Sequence, residues 1–88
     1  MRGETNISAK ERVVGIVAEL LHRRSVSHQV ATDDDLQNIG LTSLDMVNLM
    51  LSVDAEFDVR IPDNEMILRN FRSVSAIDLL VTTLLRQK

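Results

Sequence analysis

Gly40-Leu41-Thr42-Ser43-Leu44 closes a long polar segment, and an unbroken helical run from Leu44 to Phe57 follows at once. Ser43 is therefore expected at the mouth of a helix. The first-turn backbone N–H groups lack partners there, and the helix dipole is positive. A phosphate carried on Ser43 would meet both. The plainer reading is that Thr42 or Ser43 is an N-cap, the usual role of a hydroxyl residue before an apolar run. Thr42-Ser43 alone favours the cap; the residues around the pair favour the other reading.

The helix that starts here, Ser43 to about Asp58, carries an unusual pattern. At ~100° per residue, Met46, Leu49, Met50, Val53 and Phe57 gather on one broad face. Asp45, Asn48, Ser52, Ala55 and Glu56 form a polar face, and Leu44, Val47 and Leu51 make a further apolar stripe closest to Ser43. Either the helix is central and buried on several sides, or the second stripe docks partner proteins beside the serine. The pattern weighs the two equally.

Upstream, Ser8-Ala9-Lys10-Glu11 reads as a capping box. Val13, Ile16, Val17, Leu20 and Leu21 then recur at helical spacing, and His22-Arg23-Arg24 places cations where a helix would end. These signals predict a helix over 9–23, preceded by a flexible tail over 1–7. Residues 25–42 form a long connection anchored by Val26, Val30, Leu36 and Ile39; connections this long are uncommon and often functional. Asp33-Asp34-Asp35 does not fit a calcium-binding loop, which needs glycine at its sixth position and a closing glutamate. It reads as a solvated cluster or a cap for a turn through Leu36. His22 and His28 have no partners at metal-ligand spacing and read as surface residues, so no metal site is expected.

Downstream, Pro62 ends the central helix region, and Ile61 before it should be extended. Asp63 can cap a short helix over 64–70. Ser73 can cap a last helix over 74–86, with Val74, Ile77, Leu80, Val81, Leu84 and Leu85 on its apolar side. The sum is an all-α bundle of three long helices and one short helix, forming one domain over 8–88. Its core should include Val13, Val17, Leu20, Leu49, Val53, Phe57, Ile61, Val74, Ile77 and Val81. Phe57→Ala should cost about 3–5 kcal/mol if the ring is buried.

Composition narrows the function. The 88 residues hold no cysteine, two phenylalanines as the whole aromatic content, and a net charge of −3. Disulfides and thiolate metal sites are excluded, and a cytoplasmic location is expected. No basic run argues for nucleic acid. No apolar run approaches a membrane span, and Met1–Asn6 lacks the apolar segment of a signal peptide. No His or carboxylate constellation has the spacing of a catalytic site.

The segment Ile39-Gly40-Leu41-Thr42-Ser43-Leu44-Asp45 resembles the acyl carrier protein family, whose signature is Asp-Ser-Leu at the start of the second helix after a glycine turn. The likeness continues through Val47, Leu49, Val53, Glu56-Phe57, Ile61-Pro62-Asp63 and Ser73-Val74, and spans roughly residues 8–86. It implies a stand-alone, monomeric, non-catalytic carrier with the acyl-carrier-protein fold. Ser43 would bear 4′-phosphopantetheine, transferred from coenzyme A by a phosphopantetheinyl transferase. The arm's thiol would hold an acyl group as a thioester for delivery to partner enzymes of lipid or specialised metabolism. The same resemblance implies partner contacts at Thr42, Leu44, Asp45, Val47, Asn48 and Leu51.

Several positions depart from the family pattern. Thr42 replaces the usual Asp, and Asn48 and Ala55 replace commonly acidic residues. Gly40-Leu41-Thr42-Ser43, Phe57-Asp58, Pro62-Asp63-Asn64 and Phe71-Arg72-Ser73 are similar to small carriers that accept amino acids from activating ligases, which gives the alternative of an aminoacyl carrier. A helical bundle that is never modified and acts through interaction alone is the alternative of another class.

Overall fold

The computed structural model describes residues 8–86; the expected tail over 1–7 lies outside them. Helix α1 spans Ala9–Arg23, α2 spans Ser43–Phe57 and α3 spans Val74–Arg86, with two short 3₁₀ turns between α2 and α3 at Asp63–Glu65 and Leu68–Phe71. No strand occurs among the described residues. All three helices fall within a residue of the ranges that the capping and periodicity signals predict.

Helix α1 begins as its sequence dictates. The Glu11 N–H donates to Ser8 Oγ at 3.2 Å and the Ser8 N–H to Glu11 Oε1 at 3.1 Å, a reciprocal capping box. Its end turns sharply. The Ser25 N–H donates to the His22 carbonyl and the Val26 N–H to the Leu21 carbonyl, both at 2.9 Å, the double closure of a Schellman turn. Ser25 sits in the left-handed region at φ 58° to make it. That reversal leaves Arg24 on the side facing α2.

The short helix expected over 64–70 takes the form of two 3₁₀ turns rather than one continuous helix, so the described residues contain three α-helices and no fourth. Ile67 is extended, at φ −128° and ψ 152°, and splits the segment into the two 3₁₀ turns. The Asn70 amide donates to the Glu65 carbonyl at 2.9 Å and to Glu65 Oε1 at 2.8 Å. Side-chain bonds of this kind offer the backbone an alternative to helix. The extended Ile67 still delivers Phe71 to a fully buried position.

The long connection is tied down along its length. Leu36 is fully buried, its N–H donates to the Arg72 carbonyl at 2.8 Å, and the Ser75 N–H donates to the Thr32 carbonyl at 2.9 Å. Val26, Val30 and Ile39 pack half-buried at the core edge. The acidic triplet is dispersed over separate partners. Asp33 accepts from the Ser75 hydroxyl, Asp34 accepts from the Ala31 N–H and meets the His28 ring, and Asp35 accepts from the Gln37 and Asn38 N–H groups to cap the turn through Leu36. Among the described residues no group of acids and histidines could hold a metal ion.

The ten expected core residues are all buried, joined by Leu21, Leu36, Leu41, Met46, Met50, Val59 and Phe71. Leu85 is a correction. It is 40% exposed, because the α3 face that packs on α1 and the second 3₁₀ turn runs through Val74, Ile77 and Val81. Leu80 and Leu84 pack only at the core edge.

Candidate functional site at the start of the second helix

Gly40 sets the entry to α2. Its φ of +133° suits glycine, and a Cβ there would stand 3.3 Å from Val26 Cγ2 and 3.5 Å from Leu21 Cδ2. The turn can therefore lie flat against the end of α1. Leu41 then plugs into the core, and the chain emerges at Thr42 and Ser43.

Only one of the two hydroxyl residues makes the cap. Thr42 is the N-cap. Its Oγ1 accepts the Asp45 N–H at 3.1 Å, while Asp45 Oδ2 accepts the Thr42 N–H at 3.0 Å, closing a second capping box. The Thr42 carbonyl accepts the Met46 N–H at 3.0 Å. Ser43 is the first residue of the helix proper, exposed, and not engaged in capping. Its Oγ meets only a long 3.5 Å approach from the Gln37 amide. The N–H groups of Ser43 and Leu44 remain at the helix mouth, as the geometry of a first turn requires.

Asp45 is not where the sequence pattern placed it. It is 7% exposed, so a carboxylate expected on the polar, partner-facing side is turned into the structure. The cause is Arg24, whose Nε donates to Asp45 Oδ2 at 2.7 Å and whose Nη2 donates to Oδ1 at 3.0 Å. The same Nη2 lies 3.3 Å from Thr42 Oγ1. This fork is the strong, bidentate form of the ion pair. Arg24 was legible only as a cation at a helix end. Its actual role depends on the Schellman turn, which no residue spacing between 24 and 45 announces.

These contacts shift the titration of Asp45. The Arg24 guanidinium first, and then the Thr42 N–H, hold its carboxyl below the usual carboxylate range, against the opposing effect of burial. The Arg24 guanidinium is raised in turn by hydrogen bonding to Asp45. Asp34 is lowered in the same sense, chiefly by the Ala31 N–H and then by His28. A carboxylate with a depressed folded value binds its proton less readily folded than unfolded. Its stabilisation is complete above the ordinary aspartate value of about 3.9 and is lost as pH falls through the lower folded value. Denaturant midpoints should therefore drop below about pH 4, and Asp45→Asn should flatten that drop. An Asp45→Asn profile parallel to that of the natural protein across the acid range would contradict the assignment.

Beyond Ser43 the exposed face of α2 is apolar. Leu44 is 67% exposed, Val47 48% and Leu51 60%, with Asn48 exposed among them. The second stripe is thus a surface rather than a second buried face. Of the expected contact residues, Thr42, Leu44, Val47, Asn48 and Leu51 lie exposed beside Ser43, and Asp45 does not. The site also fits a phosphate ester on Ser43. The hydroxyl reaches solvent, first-turn N–H groups lie beside it, and Arg24 is held against the neighbouring Thr42.

Residues 11–77 match the protein family described as the phosphopantetheine attachment site. Aminoacyl carrier protein 1 of Bradyrhizobium diazoefficiens is 40% identical over 81 residues, covering 92% of this chain and 90% of that one. Aminoacyl carrier protein 2 of the same organism is 40% identical over 77 residues, 88% of this chain and 86% of that one. The fold superposes on a chain in the crystal structure of Bradyrhizobium japonicum glycine:carrier protein ligase complexed with its cognate carrier protein and an analogue of glycyl adenylate. The TM-score is 0.72 and the identity 39%, covering 86% of this chain and 99% of that one. With a helical fold of the same form, the chain belongs to the family of carrier proteins that bear covalently attached 4′-phosphopantetheine.

Proposed function

We propose that the arm is attached at Ser43 and that the protein is a non-catalytic aminoacyl carrier, loaded by an amino-acid-activating ligase. The observation that carries the attachment site is the division of labour at α2: Thr42 does the capping, so the Ser43 hydroxyl is left exposed over the first-turn N–H groups. When bound, the cofactor supplies a terminal thiol that holds cargo as a thioester, which gives a chain without cysteine its thiol chemistry. The protein's own residues present the arm. The capping box fixes the start of α2, Gly40 and Leu41 seat the preceding turn, and Leu44, Val47 and Leu51 offer an apolar docking surface beside it.

Support for aminoacyl rather than fatty-acyl cargo comes from two directions. The two Bradyrhizobium relatives are named as aminoacyl carriers, and the superposed structure holds a carrier with a glycine ligase. Independently, Thr42, Asn48 and Ala55 stand where fatty-acid carriers are commonly acidic, so this helix offers less to a basic enzyme surface. Contact must then rest more on apolar burial, which contributes about 25 cal/mol per Å².

The test is loading of the phosphopantetheine-bearing protein in parallel with amino-acid ligases and with malonyl-transfer enzymes. Ligase loading should be the efficient reaction. Leu44→Ala and Leu51→Ala should each lower its kcat/KM about tenfold, the size of a moderate interface contact of ~1.4 kcal/mol, with unchanged melting. Malonyl loading and elongation at rates of an ordinary fatty-acid carrier would overturn the aminoacyl reading.

A further inference from the structure

Helix α2 contains three acids, and the protein engages every one of them itself. Asp45 is clamped by Arg24 at 2.7 and 3.0 Å. Asp54 accepts the Ile61 N–H at 3.4 Å. Glu56 is held by Arg12, whose Nε donates to its Oε2 at 2.9 Å and whose Nη2 donates to its carbonyl at 2.8 Å. Arg12 is fixed further by lying 4.5 Å above the Phe57 ring centroid. The two arginines come from α1 and from the cap that ends it. What α2 shows outward between Thr42 and Leu51 is Thr, Ser, Leu, Val, Asn and Leu, with no charge.

We propose that Arg24 is a specificity-determining residue: by covering Asp45 it removes the acidic signal from the mouth of α2. An enzyme that reads carriers through a basic face then finds little to attract it, while one that docks by apolar contact loses nothing. At the far end of the helix Arg12 pairs with Glu56, which it balances in charge without covering: the Glu56 side chain remains 42% exposed. This rests on the reading of Ser43 and the α2 face given above. The covering is visible in the exposures: the Arg24 side chain is 42% exposed and the Asp45 side chain beneath it 9%. Replacing Arg24 by a neutral residue would leave an uncompensated carboxylate two residues from Ser43. Charges at the rim of an interface act mainly on encounter and its salt dependence rather than on the final complex.

The experiment measures the second-order rate constant for phosphopantetheine transfer from coenzyme A by a transferase whose carrier-binding face is basic. The proteins compared are the natural one, Arg24→Gln and the double variant Arg24→Gln/Asp45→Asn, at ionic strengths of about 0.01 M and about 0.5 M. Arg24→Gln should be faster by about threefold at low salt, the effect of one unit charge several Å from its opposite through water. The gain should vanish at high salt and in the double variant. Because Arg24 also braces the capping box, Arg12→Gln and Arg12→Gln/Glu56→Gln repeat the comparison at an exposed pair away from Ser43. A smaller, salt-sensitive gain is expected there. Equal rates for all proteins, or a gain that survives neutralisation of the carboxylate, would overturn the masking role and leave the carrier reading standing. Absence of transfer to every protein would overturn both.

Discussion

Ser43→Ala should accept no cargo from any loading enzyme, while its melting temperature stays within a degree or two of that of the natural protein. The functional loss follows from the proposed attachment at Ser43, and the neutral structural effect from the geometry. Ser43 is exposed, and the cap of α2 is made by Thr42 and Asp45. Exposed substitutions away from caps and core shift stability by only about 0.5 kcal/mol. Loading followed by intact mass, with a melt on the same sample, checks both halves. Thr42→Ala gives the converse. It should cost about 1 kcal/mol as a lost N-cap and still be loaded. A Ser43→Ala protein that unfolds would show that the serine has a structural role absent from this site.

Phe71→Ala should be the most damaging single truncation, at about 3–5 kcal/mol. The ring is fully buried and the largest of the fully buried side chains among the described residues. A domain of this size has only about 5–15 kcal/mol in hand, so the variant should melt near or below working temperature. Phe57→Ala belongs to the same class but at its lower end. Phe57 retains 7% exposure, and one face of its ring meets the half-exposed Arg12 side chain. Urea melts of the two variants check the order. A milder effect at Phe71 than at Phe57 would show that the segment between α2 and α3 contributes less to the core than its burial implies.

What could be read from the chain was what is local. Capping boxes at Ser8–Glu11 and the period of Val13, Val17 and Leu20 state their helix within a few residues of sequence. The core face of α2 follows from spacing alone. The features that escaped are those in which distant segments decide. Asp45 lies on the polar side of its own helix, and a wheel drawn on α2 cannot know that Arg24 waits across from it at the end of α1. The left-handed turn at Ser25 that aims Arg24 carries no glycine to mark it. The region over 64–70 had a cap and helix-compatible residues, but the Asn70–Glu65 bonds and the extended Ile67 won locally. The doubt over the Leu44, Val47 and Leu51 stripe was of the same kind. Pattern showed that it was apolar, and only packing could show that no other element among the described residues covers it.

The most direct test of the central claim is the mass of the natural protein after incubation with coenzyme A and a broad-range phosphopantetheinyl transferase, followed by fragment mapping. One phosphopantetheine per chain, on the fragment containing Ser43 and on that residue, is the expected result. No adduct across several transferases, or an adduct on any other residue, would contradict it.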